Sequence, residues 1–326
     1  MKFRELGKTK IKVSEIGFGM WAIGGDMWGR QDDKDSVSAL KKSLEIGCNF
    51  FDTALDYGKG RSEKILGKVM KEEKVLDDVI IATKIPPRNG VWSPPANQKI
   101  EDAFPTEWIR ESCEISLKNI GRNYIDVLQL HTWNKTWDEE TEWFEEMLKL
   151  KDEGKIRAIG ISVSPDRPAE ANEHVSKNRI ESIQVVYNIL DQNPEKKLFP
   201  VAKEKGIGII ARVPYAEGVL TGKIKRDTKF SDDDWRKWAL QKNLPELLEQ
   251  VEKIKKNIGD VELYEAALKF CLSRNEVSVV IPGCRNEKQA EMNFGVAESD
   301  KNLTKSQLNE LRELWEKKEI GGITYA

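Results

Sequence analysis

The feature that most constrains the fold is an alternation: short apolar runs, the six from residue 79 onward rich in Val and Ile, each followed by residues whose apolar positions recur with helical spacing. The runs fall near 15–19, 50–52, 79–83, 125–130, 157–162, 182–187, 207–212 and 277–281. Val37, Leu40, Leu44 and Ile46 mark a first helix, capped by Asp33 or Asp35 and stopped at Gly47. Further helices are expected near 62–72, 106–120, 140–152, 166–176, 195–205 and 261–274. Eight strands, each followed by a helix through right-handed crossovers, give an α/β fold closed into a parallel (β/α)8 TIM barrel. Residues 2–15 alternate and turn at Gly7-Lys8, as a hairpin under the barrel floor would. The segment after Thr304 reads as an extra C-terminal helix with Leu308, Leu311, Leu314 and Trp315 on one face. No Pro/Gly-rich linker divides the chain, so residues 1–326 are read as one domain.

In such barrels the chemistry sits at the C-terminal ends of the strands and on the loops after them. Three strand ends here carry reactive side chains. Asp52 closes Phe50-Phe51-Asp52 and is followed by a loop with Tyr57; Lys84 ends Val79-Ile-Ile-Ala-Thr-Lys84; His131 ends Tyr124-Ile-Asp-Val-Leu-Gln-Leu-His131. Singly, each has an ordinary explanation: a turn, a helix cap, a solvated lysine. Together they bring a carboxylate, a phenol, an amine and an imidazole to one mouth. The connections 85–105, 132–139 and 213–260 are longer than a barrel requires, and long ordered loops tend to be functional.

Composition excludes several classes. Lys and Arg number 53 against 55 Asp and Glu, so a general nucleic-acid binder is not expected. No apolar run reaches the ~20 residues that span a bilayer, and the start Lys2-Phe-Arg-Glu lacks the apolar core of a signal peptide. Cys48, Cys113, Cys271 and Cys284 have no metal-binding or disulfide spacing, for which a reducing cytoplasm is the simplest home. Two histidines, His131 and His174, do not supply the cluster that a metal-dependent barrel hydrolase needs, and no metal is expected. Charged residues make up 33% of the chain, an excess resembling the ion-pair-rich surfaces of heat-adapted proteins.

The order Phe51-Asp-Thr-Ala, Tyr57-Gly, Ala82-Thr-Lys84, Leu128-Gln-Leu-His131, Lys155-Ile-Arg-Ala-Ile-Gly160, Gly218-Val-Leu-Thr-Gly222 and Val280-Ile-Pro-Gly283 resembles the aldo-keto reductase family nearly end to end. The resemblance implies reversible NADPH-dependent reduction of an aldehyde or ketone, with NADH the lesser possibility. The hydride would come from the nicotinamide and the proton from Tyr57. Lys84 would lower the tyrosine pKa, Asp52 would hold Lys84 charged, and His131 would orient the carbonyl and could share proton donation.

The family binds its dinucleotide across the barrel mouth without a Rossmann domain, in agreement with the absence of Gly-x-Gly-x-x-Gly. The resemblance places the cofactor on Gly19, Met20, Trp21, Ser162, Gln184, Arg212, Pro214, Gly218, Leu220, Gly222, Lys223, Gly283, Arg285, Gln289 and Asn293. Arg285 and a helix start would hold phosphate, and Gln289 could equally cap that helix with Asn286. Two departures stand out: Val163 replaces the common Asn after the serine, and Arg212 replaces the aromatic residue that stacks under the nicotinamide. Trp21, Trp92 and Trp133 would wall an apolar substrate pocket. Because the family includes potassium-channel β subunits, a redox-sensing regulatory subunit with little turnover is the alternative.

Overall fold

The computed structural model describes residues 1–163 and 179–323; the helix expected at 166–176, with His174, lies outside the described residues. Strands β1 (Phe3–Glu5) and β2 (Lys12–Ser14) form the antiparallel hairpin, with Phe3 opposite Ser14. The barrel strands are β3 (Phe18–Gly19), β4 (Phe50–Asp52), β5 (Ile80–Ile85), β6 (Ile125–Leu130), β7 (Ile156–Ser162), β8 (Ser182–Val186), β9 (Gly208–Arg212) and β10 (Val277–Ile281). They pair in chain order, all parallel. Ile16 bridges to Val280 and Gly19 to Gly283, and the Gly17 N–H donates to the Val280 carbonyl at 2.8 Å, so the last strand meets the first.

Side chains on a strand alternate between faces, and this builds the barrel interior in layers. Phe50, Ala82, Val127, Ala158, Ile210 and Val279 form an apolar layer with Leu6, Ile11 and Val13 of the hairpin, which plugs the floor. Two residues further along three of these strands stand Asp52, Lys84 and Gln129, all buried. The interior therefore turns from apolar to polar toward the C-terminal strand ends. Outside the barrel, the helices Arg61–Glu72 and Thr106–Ile120 approach closely at Gly67, where a Cβ would stand 2.0 Å from the Ile120 carbonyl oxygen.

The first helix, Asp33–Glu45, is capped by Asp32, whose carboxylate accepts the Lys34 N–H at 2.7 Å. Asp33 and Asp35 instead lie in its first turn, where they complement the helix dipole. The 213–260 connection holds two helices, Trp235–Ala239 and Leu244–Ile258, the second burying Leu244, Leu247, Val251, Ile254 and Ile258. The other long connections contain Ile100–Ala103 and a 3-10 turn at Lys135–Glu139. The terminal helix, Lys305–Glu316, starts in a capping box of Thr304 and Gln307 and buries Leu311. Among the described residues, no helix is long and apolar enough to cross a membrane.

Candidate active site

Asp52 and Lys84 project from adjacent strands into the upper barrel and form a buried ion pair, Lys84 Nζ donating to Asp52 Oδ1 at 2.7 Å. The amine also donates to the Thr53 carbonyl at 2.7 Å and to the Tyr57 hydroxyl at 3.4 Å. These three acceptors match the three hydrogens of an ammonium group. The other Asp52 oxygen accepts from Gln184 Nε2 at 2.7 Å. Tyr57 stands on the loop after β4, with the His131 ring edge-on at 5.6 Å and the Trp21 ring stacked at 6.3 Å. Trp92 also meets His131 edge-on, at 4.9 Å.

Burial and charge act in opposite senses on Tyr57. Burial raises the phenol pKa, and the charge of Lys84 lowers it without overcoming the burial. The net direction is upward, against the sequence expectation, because the site withdraws the phenol from water more effectively than one paired lysine stabilises a phenolate. Tyr57 therefore stays protonated at neutral pH. His131 is pushed well below the ordinary histidine value, first by burial and then by Lys84 and Arg212, so its imidazole is neutral. Its Nδ1 is buried with no hydrogen-bond partner among the described residues.

A cavity of about 1070 Å³ opens from Tyr57 and runs across the mouth to Asn293. Of the expected residues, Gly19, Met20, Trp21, Asp52, Tyr57, Trp92, His131, Ser162, Gln184, Arg212, Pro214, Gly218, Lys223, Gly283, Arg285, Gln289 and Asn293 line it. Lys84 stands behind its wall, reaching it through Tyr57. Where the family commonly has Asn, Val163 presents its carbonyl to Arg212 Nη2 at 3.1 Å. Asn286 Oδ1 accepts the Gln289 N–H at 3.0 Å, and Gln289 Oε1 accepts the Arg285 N–H at 2.8 Å. Asn286 thus caps the helix Glu287–Gly295, while Gln289 faces the cavity and reaches back past the cap to Arg285.

Three expected residues fall elsewhere. Trp133 is 1% exposed and packs against Trp137 and Trp143, in the core beneath the loop. Leu220 is buried in the short turn Val219–Thr221, and Gly222 ends that turn with φ +73°; neither lines the cavity. The structure adds residues that sequence reasoning did not single out. Asp26, Met27, Trp28 and Asp56 line one part of the mouth, and Phe230, Asp234, Trp235 and Arg236 another. The two loops join over the cavity: Trp28 pairs with Asp234, and the Trp235 N–H donates to the Met27 carbonyl at 2.7 Å. Val213, Ala216 and Glu217 all have positive φ, an uncommon cluster for residues other than glycine and one found at functional sites.

A parallel barrel that sets a carboxylate–amine pair, a phenol and an imidazole at its C-terminal mouth is built as a barrel oxidoreductase. The model of the aldo/keto reductase family matches residues 15–316, and the chain belongs to that family, whose members are NAD(P)H-dependent oxidoreductases. It is 33% identical over 297 residues to the aldo-keto reductase YhdN of Bacillus subtilis, covering 89% of this chain and 87% of that one. The NADH-specific methylglyoxal reductase of Escherichia coli is 29% identical, over 97% of this chain and 99% of its own. Among solved structures, the holo form of aldo-keto reductase AKR11C1 from Bacillus halodurans superposes with a TM-score of 0.76 at 28% identity, over 96% of each chain. The glycerol dehydrogenase AKR11B4 of Gluconobacter oxydans gives 0.78 at 25% identity, over 99% of this chain and 98% of that one.

Proposed function

We propose that this chain reduces aldehydes or ketones with an apolar or aromatic body to alcohols, using NADPH, with Tyr57 as proton donor. The observation that carries the reading is Lys84 Nζ, fixed by Asp52 and the Thr53 carbonyl while it donates to the Tyr57 hydroxyl. The neutral phenol holds its proton until a carbonyl oxygen draws it. As negative charge develops on Tyr57 Oη, the lysine stabilises it without having to move, because its position is set beforehand. Neutral His131 can donate one N–H, which suits it to orient the carbonyl oxygen rather than to supply the proton.

Ser162 and Gln184 suit the nicotinamide carboxamide, and Arg212 offers a planar cation beside the ring. Lys223, Arg285 and the start of the helix Glu287–Gly295 suit phosphate at the far end. The dinucleotide would supply the hydride. Trp21 and Trp92 flank Tyr57 and His131 and give the substrate an aromatic wall.

Tyr57→Phe tests the assignment. Among the described residues the lost hydroxyl has one bond, of 3.4 Å, so folding and NADPH binding should survive. Turnover should fall by roughly 10²–10⁴-fold. NADPH fluorescence titration alongside turnover separates the two effects, and near-normal turnover sinks the proton-donor role.

A further inference from the structure

The loop over the cavity carries an arginine that the chemistry at Tyr57 does not use. Arg236 gives two parallel bonds to Asp234, Nε at 2.9 Å and Nη2 at 2.6 Å. Its guanidinium lies over Trp28 and Phe230, 5.0 and 4.9 Å from the ring centroids. Asp234 is 7% exposed and also caps the helix Trp235–Ala239 by accepting the Arg236 N–H. The remaining Arg236 nitrogen, Nη1, lies against Gly218, 3.7 Å from where a Cβ would stand.

Arg285 lines the same cavity from the segment just ahead of the helix Glu287–Gly295. Among the described residues its guanidinium bonds only to neutral acceptors, Gln31 Oε1 at 2.8 Å and the Arg30 carbonyl at 2.5 Å. Arg285 feels the charge of Arg236. After burial, Arg236 is what most lowers the Arg285 pKa, and Asp234 is what most restores it. Asp233 and Asp35 add smaller offsets, so Asp234 is the foremost of three carboxylates that temper this repulsion and the one that also holds Arg236. A phosphate dianion brings more charge and more acceptor oxygens than that carboxylate, and two arginines can grip it from both sides.

We infer that Asp234 is an internal competitor for the cofactor's adenosine-side phosphate: it holds Arg236 until a phosphate dianion takes the guanidinium over together with Arg285. The preference for NADPH over NADH is then set by an exchange on the loop as well as by the arginine at the helix start. NADH, with a hydroxyl in place of the 2′-phosphate, has nothing to displace the carboxylate. The inference rests on the proposal that the cavity holds a nicotinamide dinucleotide.

The test is equilibrium binding, read from the quenching of tryptophan fluorescence, with NADPH, NADH and 2′,5′-ADP as separate probes. Asp234→Asn keeps a good helix cap while weakening the hold on Arg236. Arg236→Met keeps an apolar stem between the two rings while removing the charge. Arg236→Met should weaken NADPH and 2′,5′-ADP by about 10- to 100-fold and leave NADH almost unchanged. Asp234→Asn should move the same two ligands the other way, tightening them by about 3- to 30-fold, and the gain should vanish when Arg236→Met is added. An NADPH affinity that falls in Asp234→Asn would show the carboxylate to be a positioner of Arg236 and overturn the exchange. So would an NADPH-to-NADH ratio that Arg236→Met leaves in place. A native protein that binds neither dinucleotide overturns the functional reading itself, and the exchange with it.

Discussion

Replacing Lys84 by Met should damage stability and turnover through two separable routes. The ammonium is fully buried and stands 2.7 Å from the Asp52 carboxylate. At an effective dielectric constant of about 20, unit charges at that distance attract by about 6 kcal/mol, part of which is offset by the desolvation of both ions. Removing the lysine alone leaves a buried carboxylate held by the neutral amide of Gln184, and such half-pairs lose about 3–5 kcal/mol of stability. Catalysis should fall by a further factor of roughly 10²–10⁴, because the group stabilising a developing phenolate is gone. The double variant Asp52→Asn with Lys84→Met separates the routes, since it removes both charges. Thermal unfolding should then recover most of the lost stability, while NADPH-dependent turnover stays as low as in Lys84→Met. If turnover returns together with stability, Lys84 serves the fold alone and the reasoning about Tyr57 fails.

Three further outcomes are expected. Arg285→Ala should weaken NADPH selectively and leave NADH nearly unchanged in catalytic efficiency, with the native preference for NADPH shrinking as salt rises; a preference that survives the substitution moves the phosphate elsewhere along the cavity. Trp92→Ala should reduce catalytic efficiency on a bulky aromatic aldehyde more than on a short aliphatic one, by about 25 cal/mol for each Å² of apolar surface that stays wet, and equal losses would count against a pocket wall there. The depressed pKa of His131 means that the unfolded chain binds a proton that the folded chain refuses. Its contribution to stability should therefore be present above about pH 6.5 and be lost as pH falls from there toward the folded value. Comparing the pH dependence of unfolding in the native protein and His131→Gln would expose the difference, and identical slopes would contradict it.

The barrel was legible because its signal repeats: each buried strand announced itself as a short apolar run, and eight in a row admit few topologies. The convergence of Asp52, Tyr57, Lys84 and His131 followed from strand polarity, since residues at equivalent strand ends share one face of the barrel. Other features depended on neighbours that local sequence does not encode. Trp92 and Trp133 both follow strands at the mouth, yet one edges the cavity and the other sinks against Trp137 and Trp143. Arg236 and Trp28 meet only because two long loops cross, and neither loop carries a mark of the other. The helix Leu244–Ile258 is a different case. Pro245 near its start and the apolar spacing of Leu244, Leu247, Val251, Ile254 and Ile258 are readable signals, masked because the βα alternation reserves no place for an extra helix. The net rise of the Tyr57 pKa could not be read at all, since the depth of burial belongs to the folded chain.

The hairpin and the packed barrel interior together make the molecule a cup. Leu6, Ile11 and Val13 lie under the layer of Phe50, Ala82, Val127, Ala158, Ile210 and Val279 at one end, and the cavity described above opens at the other, so a substrate, product or cofactor bound there would come and go through that mouth. A ligand lodged deep can then leave only after whatever lies above it has gone, and such last-in, first-out access imposes a sequence of events that no side chain needs to enforce. The closed end is also freed from that traffic: substitutions among the floor residues should change how well the protein endures heat, while those around the rim change what it accepts.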